Sequence, residues 1–344
     1  MNSEKTPAIS VIMSVYNSEQ YLQESVDSIL DQTFNDFEFI VTDDCSTDGS
    51  FEIIKSYAKK DKRIKYFRNA ENIGLTKSLN LMLDIAKGKY IARMDSDDIS
   101  MPERFSKQFD FMENNPEIGV LGTNIRFFGN YNADSDLPTS NNDLKGELIF
   151  RDIIMHPTVM IRRSVMDENN LRYDEDFRIS QDYDLWSRMI SFTEFANMPE
   201  ILLKYRFVDS NLTNSTKTEY RESFLKKIFI AQLKRLGINP SDEDICFHII
   251  LASKKKISKI DDLSGIKLWL EKIAEKNKEK LFYDQAVIGR VLSKYWFSAC
   301  TNSTGFGLKT YFIYKNFQYV NQFDPGLILK FRFLLKCMVA YERK

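Results

Sequence analysis

The chain has 344 residues, 43% of them apolar and 28% charged, with a net charge of −1. That length and balance suit a globular protein with one substantial core and room for a second domain. No run of 18 uninterrupted apolar residues occurs, and the start Met1-Asn-Ser-Glu-Lys-Thr-Pro lacks the hydrophobic stretch of a secretory signal. Neither a membrane-spanning nor an exported protein is expected, and a cytoplasmic one is. Cys45, Cys246, Cys300 and Cys337 are scattered without metal-site spacing, so reduced thiols are expected and a disulfide framework is not.

The near-zero charge hides a division. Residues 216–344 carry 24 Lys and Arg against 13 Asp and Glu, a balance of +11, which leaves 24 against 36, or −12, for residues 1–215. Two segments of opposite sign predict two domains with different partners, 1–215 and 216–344. A basic domain attracts nucleic acid or the anionic face of a membrane. A solvated, Lys-rich helical surface would give the same count.

In chain order, the first half alternates strand-like and helix-like segments, as a parallel sheet covered by helices requires. Ile9–Val15 is a β-branched run suited to a buried strand. Asn17 or Ser18 is placed to cap the next helix, where Leu22, Val26, Ile29 and Leu30 form an apolar stripe. Phe37 to Thr42 reads as the second strand, and the polar loop Asp43-Asp-Cys-Ser-Thr-Asp-Gly leads into a second helix. Ile64 to Phe67 is a third strand. Leu75, Leu79, Met82, Leu83 and Ala86 then form a helical stripe expected to stop at Gly88. A fourth strand runs from Lys89 to Met94, Pro102 can open a helix, and Ile118 to Gly122 returns to strand.

From about Thr216 the pattern turns helical, with stripes over Tyr220 to Leu236, Leu263 to Lys280 and Gln285 to Ser298. The polar stretch Asp209-Ser-Asn-Leu-Thr-Asn-Ser-Thr is the expected boundary. Leu327 to Tyr341 mixes large apolar residues with Lys330, Arg332 and Lys336. Either an interfacial helix or a core helix with charges on its outer face has this composition.

The run Met94-Asp95-Ser96-Asp97-Asp98 puts three carboxylates within four residues where a strand gives way to a loop. Alternation along an extended segment would set Asp95 and Asp97 on one face. Like charges that close raise each other's pKa unless a cation or donors neutralise them. Hard oxygen ligands suit Mg²⁺ or Mn²⁺ carrying substrate phosphates, although a solvated acidic turn would use the same residues. In a parallel sheet the ligand crevice lies at the strand ends, so the loops after strands one, two and four, which carry Ser14 to Asn17, Asp43-Asp44 and Asp95 to Asp98, are expected to line one site.

Taken together, residues 9 to 128 resemble the family 2 glycosyltransferases. Ile9-Ser-Val-Ile-Met-Ser-Val-Tyr-Asn, Val41-Thr-Asp-Asp-Cys-Ser-Thr-Asp-Gly-Ser, Asn72-Ile-Gly-Leu-Thr-Lys-Ser-Leu-Asn, Gly88-Lys-Tyr-Ile-Ala-Arg-Met-Asp-Ser-Asp-Asp and Met101-Pro-Glu-Arg stand in that family's order and approximate spacing, and Gln181-Asp-Tyr-Asp-Leu-Trp resembles its later Glu-Asp block. The resemblance implies an α/β GT-A fold, a Rossmann-like sheet flanked by helices, followed here by a mainly helical C-terminal domain. It implies an inverting transfer of a sugar from a UDP-sugar to an acceptor hydroxyl, assisted by Mn²⁺ or Mg²⁺.

By the same resemblance Ser14, Tyr16 and Asp43 would hold the nucleoside, Tyr16 stacking on the base and Asp43 accepting the uracil N3 proton. Asn17, Lys77 and Ser96 complete the nucleotide-sugar set. Asp95 would face the ribose or a metal-bound water, Asp97 would coordinate the metal, and Asp98 would fix the loop or touch the acceptor. Asp182 matches the family's general base. Gln181 replaces the usual Glu, which leaves the contact made by that Glu in doubt. His156, in a strand-like His156-Pro157-Thr158 segment, stands either near the acceptor or the diphosphate, or in the core. Arg162 and Arg163 are open to phosphate contact or to plain surface roles, and Asp44 and Asp48 are expected to shape their loop or cap the next helix.

The implied acceptor is a lipid-diphosphate-linked sugar in surface-polysaccharide assembly, with the basic domain on the inner membrane face and oligomerisation left open; nucleic acid is not an expected partner. Two other enzyme classes fit less well. A sugar-nucleotide pyrophosphorylase would need a Gly-rich basic loop after the first strand, and a dinucleotide oxidoreductase would need G-x-G-x-x-G there, where Ser14-Val-Tyr-Asn has no glycine. A non-catalytic protein that kept the fold is left open by Gln181.

Overall fold

The computed structural model describes residues 6–208 and 218–342, the side chains of the last two excepted. They fall into two compact units: the described parts of Met1–Leu144 and Ile153–Lys217 form one, and those of Lys145–Asp152 and Thr218–Lys344 the other. The boundary stretch expected at Asp209 to Thr216 lies outside the described residues.

The first unit is built on a nine-stranded sheet: β1 (Ile9–Val15), β2 (Phe37–Asp43), β3 (Ile64–Arg68), β4 (Tyr90–Arg93), β5 (Ile99–Ser100), β6 (Ile118–Gly129), β7 (Ala133–Asp134), β8 (Met160–Arg162) and β9 (Glu194–Phe207). The order is β3-β2-β1-β4-β8-β6-β9-β5, with β7 beside β6. The expected all-parallel sheet holds for β1 to β4, and β6 and β9 also pair in parallel. Beyond them β8 runs antiparallel to both β4 and β6, so the sheet is mixed. The strand β9 gave no sequence signal, because Pro199 lacks the N–H a ladder needs. A register shift between Thr123 and Asn124 of β6 absorbs it, and Asn124 Nδ2 donates to the Pro199 carbonyl at 3.0 Å.

Alternate residues of β1 (Ile9, Val11, Met13, Val15) pack with Leu22, Val26 and Ile29 of α1 (Leu22–Leu30), Ile54 of α2 (Ser50–Lys60) and Phe105 and Met112 of α4 (Arg104–Asn114). On α3 (Leu75–Ile85), Leu79, Met82 and Leu83 are buried, and the helix packs against β1 and β2. The remaining helices of this unit are α5 (Asn141–Glu147), whose last residues belong to the second unit, α6 (Arg163–Glu168) and α7 (Gln181–Met189).

Two expected helix ends move. Asn17 and Ser18 do not cap α1: Tyr21 holds that place, and Asn17, at φ 49°, instead accepts from Thr47 N at 2.8 Å. The helix α3 stops at Ala86, which turns extended, and not at Gly88. Gly88 is a close-approach residue, since a Cβ there would lie 2.4 Å from Ser10 N and 2.7 Å from Ile9 C. The strand-like reading of His156-Pro157-Thr158 is also corrected, because these residues form one 3₁₀ turn before β8.

The second unit contains helices and, among the described residues, no strand. They are Thr218–Arg235, Asp242–Ala252, Ile260–Lys280, Gln285–Thr301, Leu308–Lys315 and Leu327–Glu342. Lys145–Asp152 enters this unit's core: Phe150 stacks on His248 at 4.6 Å and on Tyr295 at 4.2 Å, and Glu147 pairs with Lys294. The Leu327–Glu342 helix corrects the reading of a core helix with a charged outer face, because its outward side is lined by exposed Leu327, Ile328, Phe331, Leu335, Met338 and Val339. None of the described helices is long and apolar enough to cross a membrane.

Candidate active site

The loops after β1, β2 and β4 meet, as adjacent parallel strands require. Ser18 Oγ lies 2.7 Å from Ser96 Oγ, joining the first loop to the aspartate loop. Asn17 N donates to Ser46 Oγ at 3.0 Å, joining the first to the second. Tyr16 stands 49% exposed beside them, with its ring uncommitted to the core.

Asp43 is fully buried at the end of β2. Its Oδ2 accepts from Ser46 N at 3.2 Å and pairs with Arg68 Nε at 3.1 Å, while its Oδ1 has no partner and keeps an acceptor valence for an incoming N–H. Asp44 has a different task. It accepts from Asn69 Nδ2, Ile73 N and Gly74 N at 2.8–2.9 Å, which folds the Asn72-Ile73-Gly74 loop and holds Gly74 at φ 89°, where a glycine is required. Asp48 accepts from Ser50 N and Glu19 N, so it caps α2 and ties in the first loop.

After β4 the chain does not stay extended. A turn at Ser96-Asp97 gathers oxygens of Asp95, Asp97 and Asp98 within 4.8 Å of one another, so the three carboxylates converge by the turn and not by alternation along a strand. Asp95 is gripped by both Nη atoms of buried Arg93. Burial and then the Asp95 charge push the Asp97 carboxyl up to about 6, and burial pushes Asp98 well above the usual carboxylate range. Asp98 Oδ1 accepts from Arg206 N at 2.8 Å, whereas its buried Oδ2 has no partner. Arg206 also donates from Nε to the Asp97 carbonyl at 2.8 Å, with its guanidinium 4.1 Å from the centre of the Tyr21 ring. Three crowded carboxylates, two of them costly to ionise, and an orphaned buried oxygen are a donor set that a hard divalent cation fits.

Asp182 is the second residue of α7, entered through Ser180 at φ 58°. Its Oδ1 accepts from Tyr183 N at 2.9 Å, and its side chain keeps 22% of its exposure. Burial raises its pKa; the Tyr183 amide and then the Arg93 charge oppose that rise, and the Asp95 charge adds to it. Oδ2 lies 3.8 Å from Nδ1 of buried His156, whose Nε2 is 2.8 Å from Tyr173 OH. Burial, reinforced by Arg93, holds His156 well below its ordinary pKa, so the ring is neutral and its approach to Asp182 is not an ion pair. Asn80 pins Tyr173 by exchanging hydrogen bonds with its backbone N and O at 3.0 and 2.9 Å.

A family model for glycosyl transferase family 2 matches residues 10–168. An uncharacterized glycosyltransferase of Haemophilus influenzae is 34% identical over 251 residues, which cover 69% of this chain and 77% of that protein. The chain belongs to the family 2 glycosyltransferases. This family 2 enzyme is also 35% identical over 234 residues to the O-antigen biosynthesis glycosyltransferase WbnJ of Escherichia coli, covering 64% of this chain and 89% of WbnJ. Residues 1–349 of S. aureus TarS, solved in complex with UDP-GlcNAc, superpose with a TM-score of 0.60 at 18% identity, covering 85% of this chain and 90% of that one. The GT-A fold with a helical C-terminal region is thereby established.

Within this glycosyltransferase several expected site residues take up separate places. Ser14 is partly buried at the end of β1 beside the meeting loops. Gln181 is buried at the start of α7. Lys77, exposed in the first turn of α3, makes no hydrogen bond or ion pair among the described residues. Arg162 and Arg163 are used at the opposite end of β4, Arg162 on the Ile118, Met112 and Asn115 carbonyls and Arg163 on the Gly88 carbonyl and Asp167. Trp186 is buried and Asp184 pairs with Arg188 at 2.7 Å, so both serve the packing of α7. Sequence reasoning missed Arg68, Arg93, Tyr173 and Arg206. Only Arg93 carried a local signal, a charged residue inside an otherwise apolar buried strand.

Proposed function

We propose that this glycosyltransferase moves a sugar from a UDP-sugar to a hydroxyl of a lipid-diphosphate-linked sugar, inverting the anomeric centre, in the assembly of a surface polysaccharide. The observation that carries the reading is the Asp95-Asp97-Asp98 cluster, close enough to Asp182 for the Asp95 charge to act on it, in the same unit as the unpartnered buried Oδ1 of Asp43. That WbnJ acts in O-antigen biosynthesis and that TarS was solved with UDP-GlcNAc support the polymer and donor classes.

In this reading the free Oδ1 of Asp43 accepts the uracil N3–H, and Tyr16 stacks on the base. Ser14, Asn17, Lys77 and Ser96 line the ribose and diphosphate. Asp97 and Asp95 hold Mn²⁺ or Mg²⁺, with Asp98 behind them. When bound, such an ion supplies Lewis-acid stabilisation to a leaving diphosphate. Arg93 restrains Asp95, so its carboxylate is oriented before substrate arrives. Asp182 accepts the proton of the acceptor hydroxyl as the oxygen bonds to the anomeric carbon and the sugar–phosphate bond breaks, releasing UDP. His156, neutral and anchored by Tyr173, orients the face of Asp182 opposite its backbone hydrogen bond, and Gln181 contributes a polar neighbour in place of a charge.

Incubation with UDP-sugars, Mn²⁺ and a panel of lipid-diphosphate acceptors tests this. Turnover that is abolished by Asp182→Asn is the expected result. Tight UDP binding without turnover on any acceptor would favour a nucleotide-sugar-binding protein, the reading that Gln181 leaves open.

A further inference from the structure

The Leu327–Glu342 helix is seated along a narrow seam. Phe333 and Cys337, one turn apart, are 2% and 0% exposed, and the Phe333 ring packs on Phe297, Tyr311 and Tyr314 at 5.2–6.2 Å. Successive residues advance about 100° around a helix, so Ile328, Phe331, Leu335 and Val339 point away from that seam. On an ordinary surface helix this arc is polar. Here it is apolar: Leu327 is 85% exposed, Ile328 70%, Phe331 61%, and Leu335, Met338 and Val339 41–46%.

The cations are not on the pole but on its flanks. Arg332 and Lys336 lie between the apolar arc and the seam, whereas Lys330 stands beside the seam itself, where it pairs with Asp324. The neighbouring Leu308–Lys315 helix adds Phe312, 63% exposed, with Lys309 and Lys315. From Ser303 to Ala340 there are five Lys and Arg and one acid, Asp324, which pairs with Lys330 at 2.8 Å.

We propose that this face docks on an anionic lipid bilayer, lying in the headgroup plane and not crossing it. Apolar side chains at the pole enter the acyl boundary while flanking Lys and Arg reach lipid phosphates, which is the arrangement an interfacial helix needs. A second copy of the chain is a poorer occupant, because a two-fold contact would set the same flanking cations against each other. The proposal rests on the lipid-carried acceptor for its biological sense, while the binding depends on this face and not on catalysis.

The test is co-sedimentation of the full chain with phosphatidylcholine vesicles, with and without phosphatidylglycerol, and without any sugar acceptor. Binding should require phosphatidylglycerol and weaken with salt. The double change Arg332→Gln, Lys336→Gln should weaken it about thirtyfold, at roughly 1 kcal/mol per cation. Phe331→Ser with Leu335→Ser should abolish it while leaving circular dichroism and UDP binding unchanged, since both side chains are solvent-exposed. Equal sedimentation of wild type and variants would overturn the proposal, as would absence of vesicle binding together with a dimer that Phe331→Ser dissociates. Loss of turnover on every acceptor alongside intact vesicle binding would sink the catalytic reading and leave this one standing.

Discussion

Asp97 and Asp98 are adjacent in sequence, yet their surroundings assign them different work. Asp98 gives one oxygen to the Arg206 amide and is buried, while Asp97 commits its carbonyl to Arg206 and leaves its carboxylate beside Asp95. Asp97→Ala should therefore abolish Mn²⁺-dependent UDP binding in calorimetry, with a smaller loss for Asp98→Ala; the reverse order would put the coordinating carboxylate one residue later. Asp182 is a base only when ionised, and burial raises its pKa, so kcat/KM should fall on the acid side along a limb lying above the ordinary Asp range of about 3.9. Tyr173→Phe removes the anchor of His156 and should lower kcat roughly ten- to a hundredfold with UDP affinity unchanged. The carboxylates were legible because polar residues crowd the ends of strands. Arg68, Tyr173 and Arg206 were not, because each reaches the site through a contact that only the folded chain creates, while Arg93 showed only as a charge in a buried strand.

At the scale of elements, short-range chemistry predicted most helices and strands, and failures fell where another element intrudes. Gly88 looks like a helix stop, but its backbone N donates to Ser10 Oγ at 2.8 Å and the space a side chain would fill is occupied by β1. Gly88→Ala should cost about 2 kcal/mol in urea unfolding, because backbone must move to admit the methyl group. In the helical unit, His248 donates from Nε2 to the Ile149 carbonyl, 2.8 Å away, accepts at Nδ1 from Trp269 Nε1, and is buried among Phe150, Phe229 and Trp269. Burial holds its pKa at about 4, below the ordinary 6.5. The unfolded chain thus binds the extra proton first as pH falls, so the stabilising effect of a neutral His248 is complete above 6.5 and is lost between 6.5 and 4. That loss should reach about 3 kcal/mol, and His248→Phe should flatten this part of the stability–pH curve.

Across the whole molecule, the acidic and basic halves follow different physics. The first is crowded with carboxylates that a cation and a nucleotide would compensate, so UDP with Mn²⁺ at a hundred times its Kd should add about 2.7 kcal/mol to the stability of the wild type and almost nothing to Asp97→Ala, as read by thermal unfolding. Composition and spacing by themselves determined the α/β order, the helical C-terminal region, the charge division and the family, since periodicity, strand-end loops and ordered motifs are properties of neighbouring residues. Tertiary structure alone decided that the sheet is mixed, that Lys145–Asp152 belongs to the helical unit, that Arg93 grips Asp95 while Tyr173 anchors His156, and that the Leu327–Glu342 helix turns its apolar arc outward. The reason is physical: strand direction, burial and the partner of a charged side chain depend on segments far apart in the chain. A helical stripe states that one face differs from another, and only the packing of Phe333 and Cys337 decides which face meets the core.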